Sequence, residues 1–315
     1  MKSKLLVAVL FIAFFCFFLT LATCIRPTQP SGQNEDSSTT LKKQSDENPP
    51  AADPSASRLK VYPAYEHLLL GNPSNATADE SNYNNYLMQK PQFALSYSRD
   101  RGTPNWVSWH VSKTWLGEAP RQDNFRADIT LPTGWYRVST TDYSGSGFDR
   151  GHNCPSGDRT NTQEDNAATF LMSNIIPQAP THNRETWGNL EEYIRYLVDK
   201  QGQECYIIMG SYGTGGTGSS GQKNTIKGDK ITVPSQIWKV VVVIPEGTDD
   251  GNRINAETRI IAVDSPNTNT VDADWTKYIT TVDAIEQATG YDLLSELPAT
   301  TQDLIEAKTD AGAIR

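Results

Sequence analysis

Asp149, Arg150, Gly151 and His152 put an acid, a base, a permissive glycine and an imidazole in consecutive positions, between segments rich in Gly, Ser and Pro. Imidazole titrates at about pH 6.5 when unperturbed, so a histidine presented there can accept a proton near neutrality. Gly151 lets the backbone turn tightly or lets another group come close. Alone, the tetrapeptide reads more readily as a surface turn than as a reactive loop. Further on, SNIIPQAPTHNRETWGNLEEYIR runs from Ser173 to Arg195. On a helix begun near Asn183, residues Asn183, Trp187, Glu191 and Arg195 follow at i+4 steps along one side. An amide oxygen and a carboxylate on one helix side make a hard-oxygen set. Magnesium suits it, because that ion keeps most of its waters and needs few protein ligands. The bland alternative is a helix cap for Asn183 and solvated charges for Glu191 and Arg195.

A third pattern concerns the cations. Between Lys113 and Lys200 every basic residue is arginine: Arg121, Arg126, Arg137, Arg150, Arg159, Arg184 and Arg195. The rigid guanidinium fork pairs bidentately with phosphate, which lysine cannot do. Two or three of these seven are read as facing phosphate, with Arg121, Arg150, Arg184 and Arg195 as the candidates, and the others as structural. The remaining histidines, His67, His110 and His182, fall in no H-E-x-x-H or other local zinc spacing, and no C-x-x-C occurs.

These residues need a scaffold. FALSYS alternates Phe93, Leu95 and Tyr97 on one face, and WVSWHVS alternates Val107, Trp109 and Val111. ECYIIMG, SQIWKVVVVIPEG and TRIIAVDSP are apolar, β-branched runs that read as buried central strands. SYGTGGTGSSGQKN lacks the spacing of a phosphate-binding loop and reads as a flexible connection. TWGNLEEYIRYLVDKQG places Trp187, Leu190, Ile194, Leu197 and Val198 on one apolar stripe that stops at Gly202. Asp283 and Glu286 resemble a capping box, with Gly290 where that helix stops. The predicted class is α+β, with a mixed, largely antiparallel central sheet flanked by helices and no internal repeat.

Lys2 and Lys4 precede an uncharged apolar run, Leu5 to Ala22, which has the make-up of a secretory signal. No A-x-A cleavage site follows, and the run is nearly long enough to span a membrane. LATC ends in Cys24, a candidate for lipid attachment, although Thr23 suits that poorly. Residues 1–25 are therefore a signal peptide or an N-terminal membrane anchor, and residues 26–57 a disordered polar linker. Residues 58–298 form the globular domain, and residues 299–315 a polar tail with no assigned role. Each reading places the functional part outside the cytoplasm: secreted, periplasmic or tethered to the outer face of a membrane. In an oxidising compartment Cys154 and Cys205 could pair or remain two buried thiols. The formal net charge of −9 argues against adhesion to nucleic acid or anionic lipid by bulk charge, and leaves room for a local cationic site.

DRGH, followed by NIIPQ and HNRETWGNLE, resembles the DNA/RNA non-specific endonucleases of the ββα-metal class. The likeness spans nearly the whole globular domain, through NPSNAT, NYLMQKPQFALSY, NWVSWHV, RQDNFRADITLPTGW, TQEDNAATFLMSN and TGYDLL. The resemblance implies a ββα-metal motif at the active site. It implies magnesium-dependent cleavage of DNA and RNA, single- or double-stranded, without sequence or sugar preference, to 5′-phosphate and 3′-hydroxyl ends. Mn2+ or Co2+ would substitute for Mg2+, and a dedicated protein inhibitor is a candidate partner. His152 is then similar to the general base, Asn183 to the one direct metal ligand, and Glu191 to the carboxylate that holds metal-bound water. Arg121 and Arg195 match arginines that contact phosphate, while Asp149 and Arg150 complete the motif. Cys154 departs from the family, which has small apolar residues there. The rival readings are a non-catalytic nucleic-acid-binding module of the same fold, an exported phosphodiesterase of small substrates, and a structural envelope protein.

Overall fold

The computed structural model describes residues 66–312; the N-terminal apolar segment, the linker and the start of the 58–298 segment lie outside them. In chain order the main strands are β1 (Tyr86–Gln89), β2 (Ala94–Ser98), β3 (Thr103–Val111), β4 (Asp149–His152), β5 (Ile175–Gln178), β6 (Gln203–Tyr212), β7 (Gln236–Pro245), β8 (Arg259–Pro266) and β9 (Ile279–Thr280). Seven of them form one sheet in the order β1-β2-β3-β6-β7-β8-β9, each neighbouring pair antiparallel. Strands β4 and β5 make a separate ribbon. The helices that matter below are α1 (Gln163–Ala168), α2 (Gly188–Gln201), α3 (Val282–Thr289) and α4 (Ala299–Ile305). The fold is α+β, as its sequence pattern indicates.

The central strands read as unbroken apolar runs because both sheet faces are covered. On one face Val107, Trp109, Ile207, Met209 and Val241 pack with Leu190, Ile194, Leu197 and Val198 of α2. On the other, Trp106, Ile208, Trp238 and Val240 meet Val282 and Ile285 of α3 and Ile305 of α4. Each fully buried Leu, Ile or Val contributes about 1.5–3 kcal/mol. Helix α2 ends where its pattern does, at Gly202 with φ of 61°, whose N–H bonds to the Leu197 carbonyl.

Several expectations need correction. FALSYS does not alternate in burial; all of β2 is buried, because Ser96 and Ser98 satisfy their hydroxyls on Asn85 and Asn84. The cap of α3 is Thr281, which accepts from the Ala284 N–H; Glu286 instead accepts from the Leu293 N–H at 2.7 Å. The glycine-rich stretch is an ordered hairpin, Gly216–Gly218 with Gly221–Lys223, and the Ser219 N–H holds it to the Gly147 carbonyl. The C-terminal segment is docked: Ile305 is fully buried and Asp310 pairs twice with Arg259, at 2.8 and 2.7 Å. Cys154 and Cys205 are buried free thiols, and burial raises both. No helix among the described residues is long and apolar enough to cross a membrane.

Candidate active site

The DRGH stretch is not a turn. It is strand β4, paired with β5 so that Gly151 faces Ile176 and His152 faces Ile175. A Cβ on Gly151 would lie 2.0 Å from Oε1 of Gln178 and 2.6 Å from its Cβ, so the glycine serves a close approach. Gln178 Nε2 lies 2.7 Å from His182 Nδ1, and His182 Nε2 lies 2.7 Å from Ser265 Oγ. His182 thereby ties the ribbon to β8.

His152 ends β4, half-buried, with ring centres 5.3 Å from Phe125 and 4.9 Å from Phe170. Its Nε2 is buried and has no hydrogen-bond partner. Such an orphan in a native site calls for a water, an ion or a catalytic role. Burial, then the nearby Arg121 and Arg150 guanidinium groups, hold the imidazole down at about 3 against the opposing pull of Asp123. At neutral pH it is therefore uncharged and able to accept a proton. Arg121 lies 4.9 Å above the Phe170 ring and donates to Asp123 at 2.8 Å and Ser156 at 2.6 Å. Arg150 lies 4.3 Å above Phe125. Both arginines are exposed. Two cations and two aromatic rings thus frame the histidine.

Asn183 sits in a wide π-helical turn, His182–Trp187, that leads into α2. The expected row of α-helical i+4 steps is interrupted there. Wide turns of this kind are rare and frequent at functional sites. Trp187 is buried in the core, whereas Asn183 and Glu191 stay half-buried at the surface. Asn183 Nδ2 donates to Asp149 Oδ2 at 3.0 Å, which fixes the amide and leaves its oxygen free of that contact. Arg184 closes both arms of its fork on Asp149, each at 2.8 Å, so its guanidinium is engaged with the motif's own carboxylate.

Glu191 and Arg195 belong to a chain of charges between α2 and the sheet. Lys239 Nζ lies 3.7 Å from Glu191 Oε1 and is fully buried, with the amine 4.9 Å from the Trp187 ring centre and 5.7 Å from that of Trp109. Arg195 Nη1 pairs with Asp158 Oδ1 at 3.2 Å, and Trp109 Nε1 donates to Asp158 Oδ2 at 2.9 Å. Gly157 leaves room for this, since a Cβ there would come 2.9 Å from Arg195 Nη1. Burial raises the Glu191 carboxyl, while Lys239 and Arg195 favour its ionised form. Lys239 and Asp158 escape the sequence reading. Lys239 leaves a usable signal, because it is the one charge inside IWKVVVVI, a central-strand run. Asp158 leaves none.

Two groups of metal-ligating side chains occur among the described residues, His110 with Glu204 and Asp250, and Asp283 with Glu286 and Glu306. Neither includes His152, Asn183 or Glu191. The donors at the candidate site are one oriented amide and one carboxylate, a set for a hard cation that keeps most of its water.

The model of the DNA/RNA non-specific endonuclease family matches residues 70–300. A nuclease of Nostoc sp. (strain PCC 7120 / SAG 25.82 / UTEX 2576) is 53% identical over 244 residues, 78% of this chain and 86% of that protein. The mitochondrial nuclease EXOG of Xenopus laevis is 34% identical over 169 residues, 52% of this chain and 47% of its own. The fold is similar to that of a chain in the crystal structure of the EndoG/EndoGI complex, with a TM-score of 0.61 at 22% identity, covering 77% of this chain and 96% of that one. The chain belongs to the DNA/RNA non-specific endonuclease family.

Proposed function

We propose that this nuclease acts outside the cytoplasm as a magnesium-dependent endonuclease that cuts DNA and RNA at the phosphodiester, leaving 5′-phosphate and 3′-hydroxyl ends. The observation that carries the reading is the neutral, orphaned His152 nitrogen framed by Arg121 and Arg150. An incoming phosphate would offset the two cations that depress the imidazole and so make it a stronger base in the complex. His152 takes a proton from the attacking water, the new oxygen–phosphorus bond forms, and the bond to the 3′ oxygen breaks. That oxygen leaves and takes a proton from solvent, His152 then returns its own proton to solvent, and the phosphate stays on the 5′ side. Arg121 and Arg195 stabilise the charge on the phosphoryl oxygens. These groups address the phosphodiester alone, which is common to both sugars and all bases.

The residues present fit a divalent cation. Asn183, fixed by Asp149, would bind it directly, and Glu191, paired with Lys239, would hold its waters. Bound there, Mg2+ would supply Lewis-acid stabilisation of the phosphate oxygens; Mn2+ and Co2+ are expected to substitute. The location rests on the basic-then-apolar segment from Lys2 to Ala22. A protein inhibitor is the expected macromolecular partner, in line with the EndoG/EndoGI complex of the structural neighbour.

The test uses the full chain with supercoiled plasmid and with total RNA, each with Mg2+, with EDTA, and with His152→Ala. Both polymers should be degraded only with metal, and the variant should lose at least a hundredfold, the usual share of a general base. An unchanged rate in the variant would remove His152 from the chemistry. Cleavage in EDTA would remove the metal.

A further inference from the structure

The molecule carries two clusters of ionisable side chains away from the DRGH ribbon, and they differ in charge balance. Around His110, the carboxylates already have cations. The imidazole lies between Glu66 and Glu204, and Arg253 pairs with both Glu204 and Asp250. No further positive charge is needed there.

The second cluster is unbalanced. Asp283 and Glu286, on α3, meet Glu306, the residue that follows α4, with ligand oxygens all within 4.8 Å of one another. The largest charge influences on Glu306 come from four carboxylates, Glu286, Asp283, Asp292 and Asp303. Glu306 is only 7% exposed, and its Oε1 has no hydrogen-bond partner. A buried, unpaired carboxylate oxygen among like charges is destabilising unless a proton or a cation joins it. Glu286 keeps one oxygen on the Leu293 N–H and has the other to offer.

We infer that Asp283, Glu286 and Glu306 form a second divalent-cation site, taking Ca2+ and separate from the candidate catalytic site. Ca2+ accepts six to eight oxygens at 2.3–2.6 Å in adaptable geometry, and the spacing of these oxygens is within its reach. The exposed side of the cluster, at Asp283, leaves water to complete the shell. With three carboxylates and one open side, affinity belongs in the roughly 10⁻⁴–10⁻³ M range of weak extracellular modules. The ion would clamp α3 to the C-terminal segment, which already touches it through the Asp283 N–H bond to the Glu306 carbonyl.

The experiment is a thermal melt of the full chain, demetallated and then titrated with CaCl2 at constant ionic strength at pH 8. Wild type is compared with Glu306→Gln, Asp283→Asn and Asn183→Ala. At about ten times Kd, wild type should rise by roughly 3–5 °C. Asn183→Ala should show the same rise, because the catalytic ligand is not involved, and Glu306→Gln and Asp283→Asn should lose most of it. Nuclease activity of Glu306→Gln at saturating Mg2+ and 25 °C should match wild type. No shift in wild type up to 10 mM Ca2+, or an equal shift in Glu306→Gln, would overturn the site. A shift lost only in Asn183→Ala would assign the ion to the catalytic cluster instead.

Discussion

Lys239→Met gives the most informative single perturbation of the candidate active site. The methionine fills nearly the same volume between Trp109 and Trp187 but removes the buried ammonium. At 3.7 Å the ammonium and the Glu191 carboxylate attract by about 4 kcal/mol at an effective dielectric near 20. Against that stands the desolvation of a lysine that is 0% exposed, itself several kcal/mol. Folding stability should therefore change by no more than about 2 kcal/mol in either direction. Glu191 feels the loss in full, because burial already raises its carboxyl and the largest opposing influence is Lys239. Its ionisation equilibrium should shift against the carboxylate by up to roughly a thousandfold, since each 1.36 kcal/mol is a factor of ten. Plasmid cleavage followed from pH 6 to 9.5 over a range of Mg2+ concentrations would read this. The variant should lose activity at pH 7, need more metal, and recover as pH rises. Urea melts supply the stability. A variant destabilised by the 3–5 kcal/mol of a broken buried pair, with an unmoved pH profile, would make Lys239 a structural residue and refute the coupling.

Gly151→Ala should push Gln178 aside, because its Oε1 at 2.0 Å and its Cβ at 2.6 Å both stand in the way, and cost about 1–3 kcal/mol in urea melts; an unchanged urea midpoint would argue against the clash. Arg184→Ala should raise the Mg2+ requirement by freeing Asp149 and Asn183, yet leave the salt dependence of DNA binding unchanged. A slope reduced by about one would instead show that Arg184 contacts phosphate. Acid stability follows from His152 and His182, both held by burial at about 3 against an ordinary 6.5. The unfolded chain takes up those protons at higher pH than the native one, so stability should fall as pH drops from about 6.5 toward 3. His182→Asn should flatten that decline in melts at pH 7, 5.5 and 4, and an identical slope would exclude His182 from it.

Much of the scaffold was legible because it is written in local patterns. The apolar runs of β3, β6, β7 and β8 and the stripe of α2 report burial directly, and Gly202 marks the helix stop through its left-handed conformation. The burial of β2 on both faces was not, since its serines are satisfied by asparagines outside the strand. The docked C-terminal segment was missed for a similar reason: its polar composition hides one buried isoleucine and one aspartate whose partner, Arg259, lies far along the chain.

Residue types and spacing by themselves determined the family and named the candidates for its site, because DRGH and the HNRETWGNLE stretch are short-range strings. Tertiary structure alone decided how those residues are used. Pairing with β5 turned DRGH into a strand, the fork of Arg184 closed on Asp149, and a lysine from the middle of the sheet came to lie beside Glu191. Charge and burial act through space, and the partner that sets a side chain's protonation or direction need not be near it in the chain.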